Sequence, residues 1–159
     1  MDGFLDSTVF DLELPRSSAF ANRYDFWVEL LVIEIDQSNS TNDVQEMVGS
    51  CVKYGARLED ALYRINDTQF LVKSLSRHSK GILVLADRYK DCVEKQSHGA
   101  ITISCGAISY WPGLRMPASE VKDFLYSQLE LAQQNGGHQV QHQIIDVIFP
   151  VCEKVVDID

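Results

Sequence analysis

The stretch "WVELLVIEID", residues 27–36, limits the fold more than any other. Its apolar residues occupy both parities of an extended chain, so a strand here must be covered on both faces. A half-exposed hairpin has no use for such a segment, whereas a central strand between two layers does. Glu34 and Asp36 share one parity and therefore point to one face at the strand's carboxyl end.

Helical and strand patterns alternate around it. Residues 1–26 are mixed; "LELPRSSAF" reads as a loop with a turn at Pro15 that leads into a short helical piece, so a reduced first helix is expected. Val44, Met47, Val48, Cys51 and Val52 recur at helical spacing, with Thr41 or Asn42 as cap and Gly55 as stop. "ALYRINDTQFLVKSL" is two strands around a short polar turn. Residues 79–96 place Ile82, Leu85, Ala86, Tyr89 and Val93 on one stripe, capped by Ser79. "AITISCGAISY" is a strand, "PASEVKDFLYSQLELAQQ" an amphipathic helix stopped by Gly136-Gly137, and "HQVQHQIIDVIFPVC" one or two closing strands.

The order β, α, β-hairpin, α, β, α, β predicts an α+β sandwich: a mixed or mostly antiparallel central sheet of about five strands covered by helices. The 159 residues suit one domain over 1–159.

At 45% hydrophobic and 23% charged residues the composition is that of a globular protein. The formal net charge of −9 argues against nucleic acid or an anionic membrane surface as partner, and leaves room for a single nucleotide held by a local arginine pair. "MDGFLDSTVF" has no basic region before an apolar one, and no apolar run reaches the length of a membrane span; a cytoplasmic protein is expected. Cys51, Cys92, Cys105 and Cys152 lack CxxC spacing and sit in apolar patterns, which predicts reduced core thiols rather than a zinc site or a disulfide framework. Trp27 and Trp111 are expected to pack. His138 and His142 alternate with polar neighbours like exposed strand side chains.

Several landmarks in order resemble one family, the GGDEF domains of bacterial diguanylate cyclases, over about residues 11–141. "LPRSSAF" is similar to its L-P-N-R-x-x-F, "VIEID" to its strand ending in D-x-D, and Asn42-Asp43 to its N-D. "YRINDTQFLV" stands where R-Y-G-G-D-E-F belongs, with Arg64 and Phe70 retained. "TISCGA" resembles T-x-S-x-G-x-A, and "LAQQNGGHQV" resembles A-K-x-x-G-R-N-x-V. The resemblance implies a nucleotide-cyclase palm, with residues 142–159 as a carboxyl-terminal extension that adds a strand or a partner surface.

In that family the strand acid and the acids of the G-G-D-E-F turn hold two Mg²⁺ ions, which activate one GTP's ribose hydroxyl for attack on another's α-phosphate. Here Glu34 and Asp36 remain, but Thr68 and Gln69 replace the acidic pair, and Asn66 and Asp67 replace the glycines. Mg²⁺ wants carboxylate oxygens, and side chains at the glycine positions obstruct backbone approach to a nucleotide. Asn42 keeps a group for a guanine edge, whereas the family's guanine-reading Asp falls at Cys51. Its phosphate-binding Lys and Arg fall at Gln133 and Gly137. Losing ligands and clamps together removes most of the electrostatic stabilisation. The resemblance therefore implies a catalytically inactive domain with no metal or other cofactor, weak Mg²⁺ at Glu34 and Asp36 included.

Many family members carry an inhibitory product site, R-x-x-D. Arg57-Leu58-Glu59-Asp60 has that pattern, and five residues, Ala61 to Ile65, separate it from Asn66 as the family's register requires. The resemblance implies cyclic di-GMP bound by Arg57 and Asp60, with a further arginine from the helix after the hairpin: Arg88 first, Lys90 next. An arginine fork suits phosphate or the guanine O6/N7 edge, and an aspartate suits the guanine N1 and N2 donors. The plain alternative is a surface ion pair of little energetic value. Three functions stay open: a regulatory cyclic di-GMP-binding module, a protein-interaction or scaffold module working with a signalling partner or as a homodimer, and a residual GTP sensor using Glu34, Asp36 and Asn42.

Overall fold

The structure, a computed structural model, describes residues 3–37, 40–114 and 116–146. The chain runs β1 (Leu5–Asp6), α1 (Ser7–Tyr24), β2 (Trp27–Ile35), α2 (Asn42–Gly55), β3 (Ala61–Asn66), β4 (Gln69–Ser76), α3 (Gly81–Gln96), β5 (Ile103–Tyr110), a 3₁₀ turn (Pro112–Leu114), α4 (Ala118–Gln134) and β6 (Val140–Ile145). The strands form a sheet in the order β1-β3-β4-β2-β5-β6. The inner pairs β3–β4, β4–β2 and β2–β5 are antiparallel, and the edges β1–β3 and β5–β6 are parallel. The expected α+β sandwich is present with six strands rather than about five; the two-residue β1 lacks any sequence signal.

β2 is central, as its double-sided pattern requires. Leu31, Ile33 and Ile35 meet Val48, Val52, Ile82, Ala86 and Tyr89 of α2 and α3 on one face. Val28, Leu30 and Val32 meet Phe10, Leu14, Val121 and Leu125 of α1 and α4 on the other. Three layers result, and α4 lies very close to β5. A Cβ at Gly106 would stand 2.4 Å from the Leu129 nitrogen and 2.7 Å from the Leu125 carbonyl. That glycine is required by backbone contact rather than by a turn.

α1 corrects the expected loop at residues 12–20. It is 18 residues long and carries Pro15 inside. The proline cannot donate to the Asp11 carbonyl, but Asp11 is exposed, so that group is not sealed from solvent. Strong ends offset the defect. Asp6 Oδ1 accepts from Thr8 N at 2.9 Å, and Asp25, left-handed at φ 59°, closes the last turn on Ala21. The Asp11 carboxylate also holds Lys122 of α4 at 2.6 Å.

Smaller corrections follow from packing. Ser79 does not cap α3, whose N-cap is Lys80 without a side-chain bond. Instead the Glu29 carboxylate on β2 accepts from Ile82 N at 3.1 Å. Gly55 ends α2, yet its lack of a side chain admits Tyr89, 2.7 Å from where a Cβ would sit. Trp27 and Trp111 pack edge to face at 5.2 Å, as expected. Cys105 is a free buried thiol, but Cys51 and Cys92 are not reduced: they form a disulfide between α2 and α3 with Cα atoms 5.8 Å apart. Cysteines 41 residues apart give no local spacing from which that pairing could be read. Residues 147–159, including Cys152 and most of the expected extension, lie outside the described residues. Among the described residues no helix is long and apolar enough to cross a membrane.

Gly106→Ala forces β5 and α4 apart and is expected to destabilise by about 1–3 kcal/mol. Urea unfolding followed by circular dichroism measures it; an unchanged midpoint would contradict the close approach.

Candidate functional site

The hairpin turn between β3 and β4 is built without glycine. None of residues 66–69 has a positive φ. Asn66 Oδ1 accepts from Thr68 N at 3.0 Å, an Asx turn, and the pairing shifts register between Arg64 and Asn66. Arg64 lies over the Phe70 ring at 5.4 Å and donates to the Asn66 and Asp67 carbonyls at 3.2 Å each. The retained Arg and Phe thus brace the turn.

Thr68 and Gln69 turn onto Glu34. Thr68 Oγ1 donates to Glu34 Oε1 at 3.1 Å and Gln69 Nε2 to Oε2 at 3.0 Å. Gln69 Oε1 in turn accepts from Tyr126 of α4 at 2.6 Å. Burial pushes the Glu34 carboxyl up; the two hydrogen bonds pull it back, and Asp36 adds to the rise. Asp36 is equally occupied: it accepts from Thr102, from Ser104 and, at 3.1 Å, from His138 N. Both acids line an open cleft of about 660 Å³ with Gln37, Thr68, Thr102, Gln133 and Gly137. Asn42 does not line it; it is exposed in the first turn of α2, capped by Thr41 Oγ1.

This donor set does not fit a Mg²⁺ pair. Two carboxylates remain, their oxygens are engaged by neutral donors, and the residues opposite them are an amide and a hydroxyl. Among the described residues no group of three or more His, Cys, Asp or Glu side chains converges. Cys51, at the guanine-reading position of the resemblance, is buried and bonded to Cys92.

The other candidate site lies near the opposite end of β4, on the α2–α3 face. Arg57 and Arg88 line one cavity of about 140 Å³ with Ser74, Ser76, Gly81, Ile82 and Val84. Arg57 Nη2 donates to Ser74 Oγ at 2.6 Å, and Arg88 Nη1 to the Gly55 carbonyl at 3.1 Å. Asp60 is not on the cavity wall. Its Oδ2 accepts from Arg57 N at 2.9 Å, Oδ1 stands 3.7 Å from Arg57 Nε, and Asp60 N donates to Arg57 O. "RLED" is therefore a closed turn in which the aspartate fixes the arginine. With Arg57 half exposed, that ion pair by itself is worth little.

Beneath this cavity lies a network the sequence did not reveal. Glu29 is fully buried. Its Oε2 takes Ile82 N and Ser109 Oγ, the latter at 2.7 Å, and Ser109 Oγ is 2.8 Å from His142 Nε2. Burial, then Lys80, pushes the His142 ring down, which favours the neutral imidazole beside Ser109 Oγ. His142 is thus partly buried rather than exposed, and His138 precedes β6 rather than lying in it, its ring 3.8 Å from Glu94. Three strands contribute one residue each, so no local motif signals the cluster. Burial pushes the Glu29 carboxyl up, against hydrogen bonds from Ser109, Ile82 and Ser76 and the charge of Arg57.

No protein-family model matches the sequence, and no curated protein matches it. Solved structures do match. The GGDEF domain of DgcB from Caulobacter crescentus in complex with c-di-GMP has 21% identity and TM-score 0.76, over 87% of this chain and 91% of that one. The active GGEEF domain of a diguanylate cyclase from Vibrio cholerae has 14% identity and TM-score 0.74, over 87% and 97%. The diguanylate cyclase SiaD from Pseudomonas aeruginosa, solved with its activator SiaC, has 15% identity and TM-score 0.74, over 88% of this chain and 59% of that one. The chain has the fold of the GGDEF domains of diguanylate cyclases.

A raised carboxyl means the folded state keeps the Glu29 proton to higher pH than the unfolded chain. Its contribution is present below the ordinary value of 4.5 and is lost as pH rises through the raised value. The melting temperature of the native protein minus that of Glu29→Gln should therefore fall as pH is raised from about 4.5. Thermal melts across pH check this, and a constant difference would contradict it.

Proposed function

We propose that this chain is a catalytically silent GGDEF-like regulatory module that binds cyclic di-GMP at the Arg57–Arg88 cavity, with Asp60 bracing Arg57. The observation that carries the reading is the convergence of two arginines, from the loop after α2 and from the middle of α3, on one cavity. A guanidinium has five donors. Arg57 uses Nη2 on Ser74 and Arg88 uses Nη1 on Gly55, leaving donors at both for a phosphodiester or a guanine O6/N7 edge. A cavity of about 140 Å³ takes one such group. The rest of the dinucleotide then lies over the exposed Leu58 and Val84. The c-di-GMP complex of the DgcB domain supports the ligand class.

The silent half of the proposal rests on the Glu34 cluster. Hydroxyl and amide donors hold the acid where carboxylates would be needed for metal, so neither Mg²⁺ nor GTP is used as cofactor or substrate. The module would act in the cytoplasm, away from nucleic acid and membrane, through a signalling partner or a second copy of itself. A second reading, a docking module that binds no nucleotide, has its support in the exposed apolar side chains of α1: Leu12, Phe20 and Tyr24, the last two with rings 4.7 Å apart. The SiaD–SiaC complex is one case of this fold with a protein activator.

Calorimetry with cyclic di-GMP should give saturable heat with the native protein. Arg57→Ala and Arg88→Ala should each weaken binding about tenfold or more, the scale of a lost charge-assisted hydrogen bond. No heat with the native protein overturns the nucleotide reading in favour of docking. Incubation with GTP and Mg²⁺ should yield no cyclic di-GMP by chromatography, and product formation would contradict the silent site.

A further inference from the structure

We propose that the Cys51–Cys92 pair is a thiol–disulfide site whose redox state sets how well the Arg57–Arg88 cavity is formed. The proposal rests on the nucleotide-binding reading for its consequence, but not for its chemistry. Cys51 lies on α2 and Cys92 on α3, with Cα atoms 5.8 Å apart. One turn onward from Cys51 is Gly55; one turn back from Cys92 is Arg88. Those two residues are also in contact: Arg88 donates to the Gly55 carbonyl at 3.1 Å, and Tyr89 packs against the open side of Gly55. The covalent link and the arginine contact are adjacent rungs between the same pair of helices. Arg57 follows Gly55 by two residues, so both arginines of the cavity are referenced to the α2–α3 register that the disulfide fixes.

The pair is placed for exchange at one sulfur. Cys51 is buried, whereas Cys92 is partly buried at the margin of the α2–α3 core. A small dithiol reductant attacks Cys92 Sγ as its thiolate. A mixed disulfide forms, the Cys51–Cys92 bond breaks, and Cys51 leaves as thiolate and takes a proton. The second thiol of the reductant then closes its own disulfide and releases Cys92 as a thiol. The protein gains two electrons and two protons, and the dithiol loses them. Cys105, on β5 under both helices, takes no part. It is fully buried, and burial, with Lys90 opposing and Asp36 and Asp87 adding, pushes its thiol up and away from the reactive form.

With the bridge closed, Arg88 is held against Gly55 and its remaining donors are fixed before ligand arrives. With it open, α2 and α3 rely on packing alone, and the carboxyl end of α2 together with the first turns of α3 gains freedom. The oxidised form should therefore bind cyclic di-GMP about tenfold more tightly than the reduced form, as expected for loss of preorganisation.

The test uses the full chain purified without reductant, half of it then treated with dithiothreitol. Alkylation after denaturation, with peptide mapping, should find Cys51 and Cys92 linked and Cys105 labelled before treatment, and all four cysteines of the chain labelled after it. Hydrogen exchange should quicken on reduction at residues 52–56 and 84–90 and stay unchanged in α4, a readout that needs no ligand. Cys92→Ser should match the reduced form with or without dithiothreitol. Quickened exchange together with no nucleotide binding in either form leaves the thiol–disulfide site standing and removes the nucleotide reading. Labelled Cys51 and Cys92 before treatment, unchanged exchange, or equal affinity of the two forms overturns the proposal.

Discussion

Everything in this molecule is hung on the two-sided burial of β2. Its backbone is paired with β4 on one side and β5 on the other, so its polar groups are satisfied without water. Its apolar residues can then be covered by two helices on each face. A buried leucine, isoleucine or valine contributes roughly 1.5–3 kcal/mol relative to exposure. Six fully or nearly fully buried apolar side chains on one strand therefore rival the net stability of a typical domain, about 5–15 kcal/mol. No local preference elsewhere in the chain competes with that term. Pro15 within α1 is tolerated for the same reason: the helix is held by Phe10 and Leu14 against the sheet and by Asp11 against Lys122, not by its own propensity.

The same strand carries acids with opposite fates. Glu34 and Asp36, at its carboxyl end, are held by hydroxyls, an amide and a backbone N–H, all of them neutral donors. Glu29, near its amino end, is buried under the arginine-lined cavity and holds the first turn of α3 by a hydrogen bond to Ile82 N. Chemistry of the cyclase kind needs concentrated negative charge at the first end. Anion recognition needs concentrated positive charge at the second. Here neutral donors surround the two acids at the first end and two arginines line the cavity at the second, with Asp60 a brace for Arg57 rather than a wall of the cavity.

Much of this was legible in the sequence, for stated physical reasons. The double parity of residues 27–36 fixed a central strand, and the stripes Val48-Cys51-Val52, Ile82-Leu85-Ala86-Tyr89 and Val121-Leu125-Leu129 fixed three helices and their buried faces. Gly136 and Gly137, both with positive φ, end α4 as their position implied. What stayed hidden depends on groups far apart in the chain. The first helix was masked because Pro15 and "RSSA" speak locally for a loop, while the compensating contacts come from the sheet and α4. The Cys51–Cys92 bond depends on how α2 and α3 are set against each other. The chain of Glu29, Ser109 and His142 exists only once β2, β5 and β6 lie side by side, and the capping of α3 by Glu29 displaces the local candidate, Ser79.

The central claim is that the ligand-binding end of this fold is the Arg57–Arg88 cavity and not the cleft at Glu34 and Asp36. The most direct measurement is a backbone amide NMR titration of the full chain with cyclic di-GMP. The account predicts saturable shifts at Ser74, Ser76, Gly81 and Arg88, with Gly137, Thr102 and Thr68 unmoved. Shifts centred on the second group, or none at all, would contradict it.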